Sequence, residues 1–199
     1  MTATGPPRLS RAESRARTRQ QIIDAATRLF LRDGFRSTSL EQVAESAGYT
    51  VGAVYSNFDG KTAMGIAVID ELYAREEQRL SESLVAVPVA DREALFEALS
   101  AWAETTIGDP DWTRLEIEIA AAVAHEDVHR AATAARYARL RARCRELITE
   151  RLGGESTLDP ESLATAIVGL ALGVGAQRAA DPTVPGTTWS DALRVLVGA

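Results

Sequence analysis

His125 and His129 stand four residues apart with Glu126 beside the first, spelling H-E-x-x-H. On a helix the two imidazoles would share a face and could bind zinc, with Glu126 as the general base. A third ligand would have to come from Glu146 or Glu150. These are the only histidines in the chain. The acidic candidates belong to the same helix, too far along it to reach the metal. Glu126-Asp127 also reads as a helix start, so the five residues straddle a junction between helices. A metal-binding or zinc-dependent protein using His125-Glu126-x-x-His129 is therefore the alternative reading, and no metal or cofactor is expected. No nucleotide-binding glycine loop and no full set of catalytic groups appears, so the chain is not expected to be an enzyme.

A second stretch, Thr38 to Lys61 (TSLEQVAESAGYTVGAVYSNFDGK), has chemistry of another kind. It reads as two short helices joined by a tight turn. Thr38 with Glu41 has the spacing of a capping box. Leu40, Val43, Ala44 and Ala47 fall on one helical face. Gly48 follows, where a helix end often needs positive φ. Thr50 can cap the second helix, and Val51, Val54 and Phe58 give it a buried side. Helices this short need neighbours to pack against. This is the helix-turn-helix layout, in which the second helix enters the DNA major groove.

Charge agrees with a nucleic-acid partner only once it is divided along the chain. The net charge is −6. Residues 1–61 carry nine basic against six acidic side chains, a net of +3. Residues 62–199 carry 13 basic against 22 acidic, a net of −9. A basic head on an acidic body puts the phosphate-binding surface near the N-terminus. Lys61 is the only lysine. Arg8, Arg11, Arg15, Arg17 and Arg19 suit either an arm that tracks phosphates or a solvated helix face. Cys144 is the only cysteine, which excludes an internal disulfide and suits a reducing cytoplasm. The arginines near the start have no apolar stretch behind them, so no signal peptide is expected. The longest uncharged apolar run, Leu163 to Ala176, falls short of the roughly 20 residues a membrane helix needs. It reads as a buried helix, with no membrane partner.

The run AGYT-VGAVYSNF-x-x-K, preceded by LFLRDGFRSTSLEQVAESAG, resembles the DNA-binding domain of TetR-family repressors. The resemblance extends without a gap from about Thr18 to Lys61. It includes the Ala47-Gly48 turn, the Tyr55 and Phe58 pair and the lysine that opens the next helix. The chain departs from the family at Asn57, where histidine is usual, and at Thr62-Ala63, where an acidic residue is common. By position, the resemblance implies that Val51, Gly52, Ala53 and Ser56 meet base edges. It likewise implies that Thr38, Thr50, Tyr55, Asn57 and Lys61 reach phosphates. With no Arg, Gln or Asn aimed at base edges, DNA shape and deformability would carry much of the specificity.

The remainder reads as all-α, with about nine helices in total and no persistent strand pattern. The expected division is a flexible basic arm over 1–14, a three-helix helix-turn-helix domain over 15–61, and a helical effector-binding and dimerisation domain over 62–199. Ser10 with Glu13 can start the first helix. A long helix from about Lys61 to Val85 would join head to body and could transmit movement between them. Asp91 caps a helix of about 92–107. Asp111 opens the next, and one from about Glu126 to Leu152 follows. Pro160 starts an apolar helix at its favoured first turn. Phe96, Leu99, Trp102, Trp112, Leu115, Ile119 and Tyr137 are large apolar groups, some with polar tips, and are the candidates to line a ligand cavity. Few charges fall among them, which favours an apolar or aromatic effector. In the family that the head resembles, the last two helices of each subunit pair into a four-helix dimer interface. That implies a homodimer through Gly169, Gly173, Trp189, Leu193 and Leu196, matched to a palindromic double-stranded operator. The resulting expectation is a cytoplasmic transcriptional repressor, released from DNA by a small molecule.

Overall fold

The computed structural model describes residues 10–124, 127–152, 156 and 158–198. Nine α-helices and no strand are found among them, as the pattern predicts. The chain divides into two compact units, Met1–Val68 and Ile69–Ala199.

The head begins with α1 (Arg11–Asp33). Ser10 and Glu13 close the predicted capping box, each side chain bonding the other residue's backbone N–H. Gly34 ends α1 at φ 90°. Helix α2 (Leu40–Ala47) is capped by Ser39, not Thr38, and its box partner is Gln42, not Glu41. The chain reaches extended backbone at Ser39. Thr38 lies one residue earlier and is buried, its hydroxyl donating to the Gly34 carbonyl at 2.9 Å. Gly48 takes the left-handed conformation at φ 74°, as the turn requires. Helix α3 (Val51–Tyr55) has five residues and is capped by Thr50. Ile22, Ala25, Ala26 and Phe30 of α1, Val43 of α2 and Val54 of α3 are all shut off from solvent. Phe35 meets Phe30 edge-on, with centroids 5.3 Å apart.

Helix α4 (Gly60–Val85) is continuous, and the unit boundary falls within it. The body adds α5 (Arg92–Thr106), α6 (Pro110–Val123), α7 (Asp127–Leu147), α8 (Pro160–Ala180) and α9 (Thr188–Leu196). A π-helical turn, Ile148–Leu152, continues α7. Asp91 caps α5 as expected, and Asp159 caps α8 with Pro160 in its first turn. Helix α6 is capped by Asp109 with Pro110 in its first turn, so it opens ahead of the expected Asp111. The body core gathers Leu95, Phe96 and Leu99 of α5, Leu163 and Ile167 of α8, and Trp189 and Leu193 of α9. The Trp189 indole N–H donates to the Ile167 carbonyl at 3.0 Å, fixing α9 on α8.

Helix α8 departs from expectation. By length and composition it is apolar enough to cross a membrane, yet only 28% of its most apolar stretch is buried within this chain. Leu163, Ala164, Ile167, Val174 and Gly175 turn inward, while Gly169, Gly173 and Ala176 are exposed. A Cβ added at Gly169 or Gly173 would meet nothing within 4 Å, so the small-residue face is open.

Candidate functional site

Helix α3 is short for a helix exposed on one side, and its ends are held by separate devices. The Thr50 hydroxyl accepts from the Ala53 N–H at 3.2 Å. At the other end Asn57 folds back, donating to the Ala53 carbonyl at 2.8 Å. Before the helix, the Tyr49 hydroxyl donates to Gln21 of α1 at 2.5 Å and accepts from Thr18 at 3.4 Å. Val54 and Phe58 are buried, so the opposite face is presented outward.

That outward face carries Thr50, Gly52, Tyr55 and Ser56, all exposed, with Val51 and Ala53 half-buried. Tyr55 stands out at 59% exposure, unusual for a large aromatic side chain. A Cβ on Gly52 would meet only the Thr50 hydroxyl oxygen, at 3.9 Å, so nothing among the described residues demands glycine there. The Lys61 ammonium donates to the Arg36 carbonyl at 3.1 Å and lies 4.7 Å from the Phe35 ring centroid. Two expected phosphate contacts are altered by this geometry. Thr38 is 2% exposed with its hydroxyl already used, so it does not reach outward. The Asn57 amide nitrogen is turned to the Ala53 carbonyl of α3 itself.

The sequence leaves the N-terminal arginines open between a phosphate-tracking arm and a solvated helix face, and the structure separates them. Arg15 Nη2 donates to the Ser56 carbonyl at 3.1 Å, and Arg19 Nη1 to the Asn57 carbonyl at 2.9 Å. The Arg19 guanidinium also lies 4.1 Å from the Phe58 ring centroid. The available signal was the four-residue spacing of Arg11, Arg15 and Arg19, which puts them on one stripe of α1.

In the body, a cavity of about 230 Å³ opens among α4, α5, α6, α7, α8 and α9. Leu99, Trp102 and Trp112 line it as expected. Phe96, Leu115 and Ile119 do not; they are fully packed core. Tyr137 stands behind the wall and donates to Glu116, which lines it, at 3.3 Å. Trp189 and Leu193, expected at a dimer interface, line the cavity instead and are buried in this chain's own core. The stripe of α9 that carries them faces inward, and Leu196 packs against the same core. All three tryptophans of the chain therefore border the cavity.

The cavity wall is apolar but carries more charge than expected: Glu76, Glu77, Glu116 and Arg143. Glu76 is engaged by Arg79 at 2.6 Å and Thr106 at 3.1 Å. Glu77 faces Arg143 at 3.6 Å. Glu116 is held differently, by the half-buried Tyr73 phenol donating at 2.6 Å together with Tyr137. Burial and the Glu116 charge push the Tyr73 phenol well above the usual tyrosine range. The same two causes raise Tyr137 to about 12. Burial raises the Cys144 thiol, also on the wall, to about 11, so it is protonated at neutral pH.

His125 and Glu126 of the H-E-x-x-H stretch lie outside the described residues. Glu146, one proposed third ligand, is paired with Arg143 at 2.9 Å. Among the described residues no group of three or more His, Cys, Asp or Glu is placed to hold a metal ion.

Comparison with known proteins bears on both units. A family model described as bacterial regulatory proteins, tetR family, matches residues 22–68. A second, described as BetI-type transcriptional repressor, C-terminal, matches residues 91–197. The HTH-type transcriptional regulator TtgR of Pseudomonas putida is 41% identical over 73 residues, 36% of this chain and 35% of TtgR. The match thus spans about a third of that relative's length. The crystal structure of reduced E. coli NemR superposes with a TM-score of 0.71 at 20% identity, covering 90% of this chain and 97% of NemR. That of the multidrug binding protein EbrR complexed with imidazole gives 0.66 at 24% identity, covering 96% of each chain. At these identities the structural likeness speaks for the fold. Nothing in these comparisons supports the metal-dependent alternative.

Proposed function

This chain belongs to the TetR family of bacterial regulatory proteins, and we propose that it is a DNA-binding transcriptional repressor, released from its operator by a small molecule. The observation that carries the DNA-binding half is the outward face of α3. An exposed Tyr55 stands beside the uncovered backbone of Gly52, on a helix fixed at both ends. Thr50, Tyr55 and Lys61 reach phosphates, while Val51, Gly52, Ala53 and Ser56 face base edges. Val51 and Ala53 suit thymine methyl groups. The cytoplasm, where the chromosome lies, is the compartment such a regulator needs.

The body cavity is the effector site in this reading. Its walls favour a molecule with an apolar or aromatic body, and the Glu116 carboxylate favours a hydrogen-bond donor at one end. The open face of α8, with Gly169 and Gly173, is where a second copy packs. A homodimer brings two heads to a palindromic operator whose half-sites lie about 34–36 Å apart. A ligand that fits only one arrangement of the body shifts the spacing of the heads.

Selection from a random-sequence duplex pool tests this reading. The expected product is a palindrome with half-sites about one helical turn apart. A pool that never converges would overturn it. The selected duplex then serves to screen small molecules for release, with tryptophan fluorescence reporting entry into the cavity.

A further inference from the structure

We infer that Arg19, seconded by Arg15, positions the recognition helix rather than contacting phosphate. The inference rests on the DNA-binding reading above. Helix α3 has five residues, too few to hold itself together in water. Its N-terminal end is secured locally, by Thr50. Past its C-terminal end, the chain carbonyls need partners that the helix cannot supply. Two come from another helix: Arg15 serves the Ser56 carbonyl and Arg19 the Asn57 carbonyl. A guanidinium beside the last carbonyls of a helix also meets the negative end of its dipole.

Arg19 is the stronger of the pair. It is half-buried and 2.9 Å from its acceptor, and its plane lies over Phe58, the residue that anchors the segment after α3. Arg15 is exposed and its bond is longer, 3.1 Å. Both charges face the protein's own backbone. The orientation of Tyr55 and Ser56, just upstream, is set by where these carbonyls are held.

Positioning and phosphate contact make different demands on the side chain. A phosphate contact needs a positive charge, which lysine keeps. Its loss weakens binding on every sequence alike and makes the salt dependence shallower by about one unit. Positioning needs the directed fork and planar stacking of a guanidinium, which lysine lacks.

Duplex binding should be measured for wild type, Arg19→Lys, Arg19→Ala and Arg15→Ala. The probes are the duplex recovered by selection and a scrambled duplex of equal length, each over a range of salt. Arg19→Lys is expected to weaken the selected duplex about tenfold, leaving the scrambled one and the salt slope unchanged; Arg15→Ala does the same to a smaller degree. Equal loss on both duplexes with a shallower slope, or full rescue by lysine, would overturn the inference. Arg19→Lys decides the matter if Arg19→Ala fails to fold. Hydrogen exchange without DNA separates this claim from the DNA-binding reading. Amides of residues 56–58 should exchange faster in Arg19→Lys than in wild type. Unchanged exchange there would overturn the clamp even if DNA binding is intact.

Discussion

The head and the body use apolar residues to different ends. In the head, Ile22, Phe30, Val43 and Val54 lie entirely out of solvent, and polar side chains pin the short helices. In the body, three tryptophans and a leucine-rich wall surround about 230 Å³ of space, with carboxylates among them. A filled core holds one arrangement, since its contacts cannot be kept in another. A core with a cavity has given up contacts that a ligand could restore. On the proposed reading, the head presents one surface and the body answers to its contents.

The largest break in that contrast is a hole made in the head. Phe30→Ala should cost about 3–5 kcal/mol, read as a fall in the urea midpoint, because nothing there can collapse into the space. A loss below about 1 kcal/mol would mean that the head core is as yielding as the body's. The reverse change belongs in the body. Cys144→Leu adds volume at the cavity wall and should cost less than the roughly 1–3 kcal/mol that overpacking exacts in a filled core. It should also blunt any effector response. A cost as large as in a filled core would deny the cavity.

A smaller effect separates two neighbouring residues of the head. Ser39→Ala should cost about 1 kcal/mol through the lost cap of α2. An unchanged thermal midpoint would return that role to Thr38. The smallest effect is a pH dependence in the body. Free tyrosine titrates near pH 10, and Tyr137 is raised to about 12. Below about pH 10 both folded and unfolded chains keep the proton, so stability is flat. Above it the unfolded chain loses its proton first, and stability falls until the folded value is passed. The urea midpoint should therefore drop between about pH 10 and 12, and drop less in Tyr137→Phe. Equal drops would show that the phenol facing Glu116 is not the cause.

These contrasts also mark what was legible in the sequence. The Ser10–Glu13 box, the Gly48 turn and the Thr50 cap could be read because each depends on residues within a few positions. Thr38 and Ser39 are both good caps, and only the path of the backbone chooses between them. The cavity depended on pairs far apart in the chain, such as Tyr73 with Glu116 and Trp102 with Trp189. Helical period showed that Trp189 and Leu193 face the same way, but not that they face this chain's own core. It also read α8 as a buried helix, because an apolar run looks the same whether the chain or a partner covers it.

The central claim is that the outward face of α3 reads DNA. The most direct measurement is the affinity of wild type and Tyr55→Ala for the selected duplex, by fluorescence anisotropy, at two salt concentrations. The variant should lose at least tenfold with an unchanged thermal midpoint, and wild-type binding should weaken steeply with salt. Equal affinity for both proteins, or wild-type binding indifferent to sequence and salt, would contradict the claim.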